Sequence, residues 1–140
     1  MKERDFQTEF AKRNKIIGVF ELKFCKGTSL PFSALASHQE QALLDISSSS
    51  GLFHKITDSP FFKDPAGKMR FTKPKPFDCF YLAYTPAYVV VMFWQPRKKK
   101  KAYYIRIEDW IKLRKHAGRK SMTEEMAAFY AEGAQDYLKK

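Results

Sequence analysis

A chain of 140 residues has room for one hydrophobic core, and its content of 44% hydrophobic and 16% aromatic residues argues for a packed interior and against disorder. The 26 Lys and Arg against 15 Asp and Glu leave a formal net charge of +11, the footprint of a protein that meets a polyanion such as nucleic acid or an acidic surface. Cys25 and Cys79 match no metal or redox spacing, no apolar amino-terminal segment leads to a cleavage site, and the longest apolar run, Ala87 to Trp94, is too short to cross a bilayer. The expectation is a reduced, cytoplasmic protein without a membrane partner.

In chain order, Phe6 and Phe10 stand at i and i+4 in "MKERDFQTEFAKRN", which predicts a short amphipathic helix. A strand follows, roughly Ile16 to Phe24. Gly27 opens a loop, and a second helix is expected to begin near Pro31 to Ser33. On it Leu35, Gln39 and Leu43 fall at i, i+4 and i+8, flanked by Ala42 and Ile46, so the Gln39 amide lies in the apolar stripe and faces inward. "SSSSG" ends that helix.

"GLFHKITD" reads as a strand, "SPFFKDPAGKMRFTKPK" as an irregular connection, and "PFDCFYLA" as the next strand. "YVVVMFW" has the continuous apolar character of a buried strand. "QPRKKKK" joins it to "AYYIRI", predicting a hairpin with a basic tip at Arg97, Lys98, Lys99, Lys100 and Lys101. A helix is expected from Glu108 to Ala117, stopped by Gly118. Ser121 with Glu124 forms a capping box that predicts a last helix running to about Leu138.

The chemistry concentrates in the first strand. In "GVFELKFCKG" Phe20, Leu22 and Phe24 share one face, while Glu21 and Lys23 share the other, about 6 to 7 Å apart along the chain. One E-x-K tripeptide fits an exposed sheet face with a salt bridge that contributes under about 1 kcal/mol. A second strand acid, Asp78 in "KPKPFDCFYL", adds the other reading. Two carboxylates can hold a Mg²⁺ that contacts a non-bridging phosphate oxygen and eases deprotonation of a bound water. The Lys23 ammonium can orient that water or neutralise charge developing on phosphate.

"FELK" with a separate aspartate resembles the PD-(D/E)XK nuclease superfamily, and "FELKFCKGTSLPFSALASHQ" resembles the stretch of RecU-type Holliday junction resolvases in which an acidic-x-Lys strand leads through "PF" into a helix bearing His-Gln. "AYVVVMFWQPRKKKKAYYIRIEDW" resembles the following strand, turn, strand and helix of that family. The likeness covers about two-thirds of the chain in pieces and is nearest to small phage-borne members carrying "FELK", "PFSA", "HQ" and "KPFDCF" in that order. It implies a single α/β domain over residues 1–140, of the restriction-endonuclease-like class, with a central mixed sheet of about five strands flanked by helices. By that resemblance Glu21 and Asp78 are metal ligands, Lys23 is the catalytic lysine, Gln39 supports the site, and Glu9 on the first helix reaches the metal.

The usual order places the aspartate one hairpin before the E-x-K strand, whereas Asp78 follows it by more than fifty residues. The expectation is a migrated ligand, delivered by an inserted hairpin over residues 51–82. The implied activity is a Mg²⁺-dependent, structure-specific DNA endonuclease, with Mn²⁺ able to substitute. The implied substrate is a four-way junction or branched DNA, cut by a homodimer in a bacterial or phage-infected cell. Two alternatives remain open: a DNA-binding accessory protein without catalysis on the same scaffold, and a less specific recombination nuclease or nickase.

The basic tip is read as a phosphate contact, which would make affinity fall steeply with salt; Lys26, Lys73 and Lys75 flank the proposed site. A second basic strip comprises Lys112, Arg114, Lys115, Arg119 and Lys120. His38, His54 and His116 lack metal-ligand spacing, and no Cys-His pair suggests a cysteine nucleophile. Asp58 is a reserve ligand for Asp78, and it shares with Asp64 the plainer reading of turn chemistry.

Overall fold

The computed structural model describes residues 1–55, 61–71 and 79–137. Helix α1 (Glu3–Arg13) opens the fold; its amino terminus is satisfied by the Asp5 carboxylate, which accepts from the Lys2 backbone N–H at 2.7 Å. Strand β1 (Val19–Cys25) leads to a short strand β2 (Ser29–Pro31), a 3₁₀ turn over Phe32–Ala34, and helix α2 (Ser37–Ser47). Four short strands follow, β3 (Leu52–Lys55), β4 (Phe61–Lys63), β5 (Met69–Phe71) and β6 (Cys79–Leu82). Strands β7 (Ala87–Phe93) and β8 (Lys100–Arg106) precede helix α3 (Ile107–His116). The chain closes with β9 (Ser121–Thr123), helix α4 (Glu124–Tyr130) and β10 (Gly133–Tyr137).

The main sheet has the order β1-β7-β8-β10. Strand β1 runs parallel to β7, with Val19 beside Ala87 and Cys25 beside Phe93; β8 is antiparallel to both β7 and β10. All seven residues of β7 are buried, as expected for an interior strand covered on both faces.

Strand alternation sorts the side chains into two layers. Phe20, Leu22, Phe24, Tyr88, Val90, Met92, Tyr104 and Tyr137 pack with Phe6 and Phe10 of α1. Their rings interlock, Phe10 against Phe20 at 5.2 Å and Phe20 stacked on Tyr88 at 5.6 Å. The opposite layer joins Val19, Cys25, Val89, Val91, Phe93, Tyr103 and Ile105 to Leu43 and Ile46 of α2 and to Trp110 and Leu113 of α3. Each fully buried Phe or Leu in these layers contributes about 2 to 3 kcal/mol of burial energy. Glu21 and Lys23 belong by parity to this second layer, on an edge strand, beneath α2.

Several expectations are corrected. The main sheet has four strands rather than about five. Helix α2 begins at Ser37, not near Pro31 to Ser33, because residues 29–31 pair with β9 instead. The connection over residues 61–71 is a second antiparallel ribbon, β4 with β5, rather than irregular chain. The last helix stops at Tyr130, and its amino-terminal cap is Thr123, whose Oγ1 accepts from the Met126 N–H at 3.3 Å. Ser121 Oγ instead accepts from Ser29 Oγ at 2.7 Å. Residues 133–137 turn to strand because the open edge of β8 has unpaired backbone groups to satisfy and because Tyr137, at 4% exposure, fills the α1 layer.

Two further antiparallel pairs stand apart from the main sheet, β3 with β6 and β4 with β5. In the first, Leu52 pairs with Leu82 and Lys55 with Cys79; in the second, Phe61 pairs with Phe71 and Lys63 with Met69. Among the described residues no helix is long and apolar enough to cross a membrane.

Candidate active site

Glu21, Lys23 and Gln39 close a hydrogen-bonded triangle. Lys23 Nζ donates to Glu21 Oε1 at 2.9 Å and to Gln39 Oε1 at 3.0 Å, while Gln39 Nε2 donates to Glu21 Oε1 at 2.8 Å. Gln39 Oε1 also accepts from the Ala36 backbone N–H at 3.1 Å. That fourth contact settles the orientation of the amide: its oxygen is held by the first turn of α2, so its NH₂ must face the carboxylate. The inward direction of Gln39, read from the apolar spacing around it, is what the structure shows.

The triangle is neither sealed nor open. The Lys23 side chain is 14% exposed and that of Glu21 30%, since β1 is an edge strand and α2 crosses only part of it. Both donors to Glu21 converge on Oε1, which leaves Oε2 without a hydrogen bond to any described residue. Lys23 has three N–H donors and uses two of them, so one is left for a ligand oxygen. A carboxylate oxygen and an ammonium side by side at a partly shielded edge suit a phosphate ester with a hard cation.

Asp78, the proposed partner carboxylate, lies outside the described residues, as do Asp58, Lys73 and Lys75. Among the described residues no group of three or more His, Cys, Asp and Glu side chains gathers to hold a metal. Glu21 Oε2 is a donor of the right kind for Mg²⁺, which prefers oxygen, and could supply one ligand.

Glu9 is not brought to the triangle. Its carboxylate accepts from Arg13 Nε at 3.0 Å and sits 3.9 Å from Lys12 Nζ. Arg13 in turn lies over the Tyr137 ring, 5.8 Å from its centroid. Glu9 is therefore on the α1 side of the sheet and towards β10, the far edge from β1, whereas Glu21 faces α2. The expectation that Glu9 reaches a metal held by Glu21 is corrected by that placement.

The basic tip has the predicted hairpin form, with Arg97 in the left-handed region at φ 64°. Arg97, Lys98 and Lys99 are exposed, whereas Lys100 and Lys101 are part of β8 and half-buried. Lys101 lies 4.0 Å from Asp136 across the sheet. Lys26 is exposed directly after β1, and the Trp94 N–H donating to Cys25 O at 2.7 Å ties that end of β1 to the start of the tip.

The remaining candidates have structural duties. Asp64 accepts from Lys68 N at 2.9 Å, Ala66 N at 3.0 Å and Arg70 Nε at 2.9 Å. The Lys68 N–H, then Arg70, hold its carboxyl below the usual range. Burial pushes the Cys25 thiol up, and its Sγ donates to Ser29 O at 3.3 Å, which suits no nucleophile. His54 packs on Phe80 at 5.0 Å, and His116 Nδ1 meets Tyr130 Oη at 3.3 Å.

One contact beside the site escapes sequence reasoning. Arg114 of α3 grips both oxygens of Glu40, the residue after Gln39, with Nη2 at 2.9 Å from Oε1. The two are separated by 74 positions, and no local pattern announces such a pair. The Ala36–Gln39 cap escapes it too, because the signature of such a cap is Ser or Thr at the position that Ala36 occupies. Searches of protein-family models, curated proteins and solved structures return no match to this chain.

Proposed function

We propose that the chain is a Mg²⁺-dependent DNA endonuclease, a structure-specific resolvase of four-way junctions that acts as a homodimer so that two sites cut two strands. The supporting observation is the Glu21–Lys23–Gln39 triangle, with Glu21 Oε2 and one Lys23 N–H left uncommitted at the rim of an edge strand. The resemblance of "FELK", "PFSA", "HQ" and "KPFDCF" to small resolvases supplies the reaction class.

In this reading Glu21 Oε2 and the Asp78 carboxylate hold the cation, which supplies charge neutralisation at phosphate and a more acidic water. Lys23 places its third N–H towards the water or the non-bridging oxygen, where negative charge grows in the transition state. Water adds to phosphorus, one P–O ester bond breaks, and the leaving oxygen takes up a proton. Gln39 touches no substrate; it keeps Lys23 and Glu21 from collapsing onto each other in any other arrangement. Arg97, Lys98, Lys99 and Lys26 bind the backbone.

The test is incubation of the protein with a four-way junction, a linear duplex and single-stranded DNA, in Mg²⁺, in Mn²⁺ and in chelator. Paired nicks in the junction alone, in the presence of metal, are expected. Indiscriminate cutting would leave the chemistry and remove the junction specificity. Retention of DNA without cleavage under every metal condition would overturn the enzymatic reading in favour of an accessory binding protein.

A further inference from the structure

The second basic strip does not act as one surface. Arg114 is committed to Glu40 through two hydrogen bonds, and Lys112 to Asp109 at 3.0 Å. Arg119 has only a neutral partner, donating from Nη2 to Ser121 Oγ at 3.3 Å. The Lys120 ammonium and the Ser33 hydroxyl have no hydrogen bond to any described residue, and Ser33, Arg119 and Lys120 are all exposed.

These three line a depression of about 370 Å³ with Phe32 and Arg114. Phe32 is buried and anchored against Trp110, ring to ring at 5.7 Å. The loop that carries the cations is fixed at both ends. Gly118, at φ 62°, takes the left-handed turn that ends α3, and the Phe32 N–H donates to Lys120 O at 3.1 Å. After Lys120 the chain enters β9, paired to β2. Two uncompensated cations and a hydroxyl on a backbone held this way lose little freedom when they bind.

Arg119 also borders a second depression, of about 450 Å³, shared with Gln95 and Lys98 of the β7–β8 tip. Glu124 and Glu125 form part of its wall; Glu124 accepts from Tyr103 Oη at 2.8 Å. Their negative charge confines an anion to the Lys98 and Arg119 side. Arg119 thus lines both depressions, the first with Lys120 beside the 3₁₀ turn and the second with Lys98 of the tip.

We infer that Ser33, Arg119 and Lys120 form a seat for a backbone phosphate of nucleic acid, on a track that starts at Lys98. The inference draws on the proposed function only for the identity of the polyanion. Its test is the salt dependence of binding to fluorescein-labelled duplex and four-way junction DNA, read by anisotropy in chelator so that no cleavage occurs. The variant Arg119→Ala/Lys120→Ala is compared with Lys12→Ala/Lys15→Ala, which removes the same charge from exposed positions elsewhere.

Each neutralised phosphate adds roughly 0.9 to the slope of log affinity against log salt. The double variant empties a seat for one phosphate and is expected to flatten the slope by about 0.9 on that basis, and the matched control by less than half as much. Slopes equal to wild type, equal losses in both variants, or a wild-type chain that binds neither probe would each overturn the seat. A wild-type protein that never cuts in Mg²⁺ but shows the predicted slopes would overturn the endonuclease reading and leave the seat standing.

Discussion

Gln39→Met keeps the length and most of the packing of the side chain in the α2 stripe while removing its polar groups, so its effect can be worked from three hydrogen bonds. The bond from Ala36 N at 3.1 Å satisfies a helix-end donor, a role worth about 1 kcal/mol. The bonds from Lys23 at 3.0 Å and to Glu21 at 2.8 Å are charge-assisted, and in a sealed core each would be worth about 1.5 to 3 kcal/mol. Here Lys23 and Glu21 keep each other at 2.9 Å and are 14% and 30% exposed, so water and the surviving pair replace much of what is removed. About 0.5 to 1 kcal/mol for each is the fitting value.

The total is about 2 to 3 kcal/mol, which for a chain of this size lowers Tm by about 8 to 12 °C. Differential scanning calorimetry measures it. Cleavage of a junction by the variant, assayed well below its Tm, is expected to fall at least about tenfold, with DNA affinity unchanged, because Lys23 no longer has the acceptor that fixes its position. A Tm within about 2 °C of wild type would refute the reasoning, since it would mean that the amide is not held by these partners.

Three further outcomes follow from other parts of the structure. Burial, and after it the hydrogen bond to Glu124, pushes the Tyr103 phenol up to about 12 from 10.0; because the folded value is raised, this stabilisation is whole below about pH 10 and is lost as pH climbs towards 12. Alkaline melts should therefore be steeper for wild type than for Tyr103→Phe, and identical pH profiles would contradict the assignment. Serine at Arg97, Lys98 and Lys99 should flatten the salt slope of DNA binding by roughly 0.9 for each phosphate that is no longer neutralised, whereas serine at Lys101, which faces Asp136, should do less. Gly51 has φ 69° and its absent Cβ would collide with the Tyr81 hydroxyl, so Gly51→Ala should cost at least about 1 kcal/mol and displace the β3–β6 pair; junction cleavage should drop further than the melting temperature accounts for.

What the chain reveals without its structure depends on whether the signal is local. The alternation of Phe20, Leu22 and Phe24 against Glu21 and Lys23, the unbroken apolar run of β7 and the spacing of Gln39 with Leu43 are short-range patterns, and each marks an element or a face that is present in the fold, although Leu35, the first member of that stripe, precedes α2. Residues 133–137 mislead because they follow a glutamate and alanine-rich run, residues 124–132, of good helix propensity, and the deciding factor, the open edge of β8, is far away in sequence. Pro31 suggests the start of a helix, whereas its stretch pairs with β9, about ninety positions later. The Glu40–Arg114 clamp is invisible for the same reason. Glu9 is placed at the metal by analogy alone, and the amphipathic pattern of α1 already contains the counter-evidence, because Arg13 stands one turn from Glu9 as a ready local partner.

The central claim is that Glu21 and Asp78 share one cation beside Lys23. Calorimetric titration of the DNA-free protein with Mg²⁺ measures it most directly, on wild type, Glu21→Gln and Asp78→Asn. The account predicts a binding event in wild type that weakens at least about tenfold in either single variant, as expected when a cation is deprived of one of two carboxylate ligands. Undiminished Mg²⁺ binding in Asp78→Asn, with Glu21→Gln impaired, would contradict the shared site.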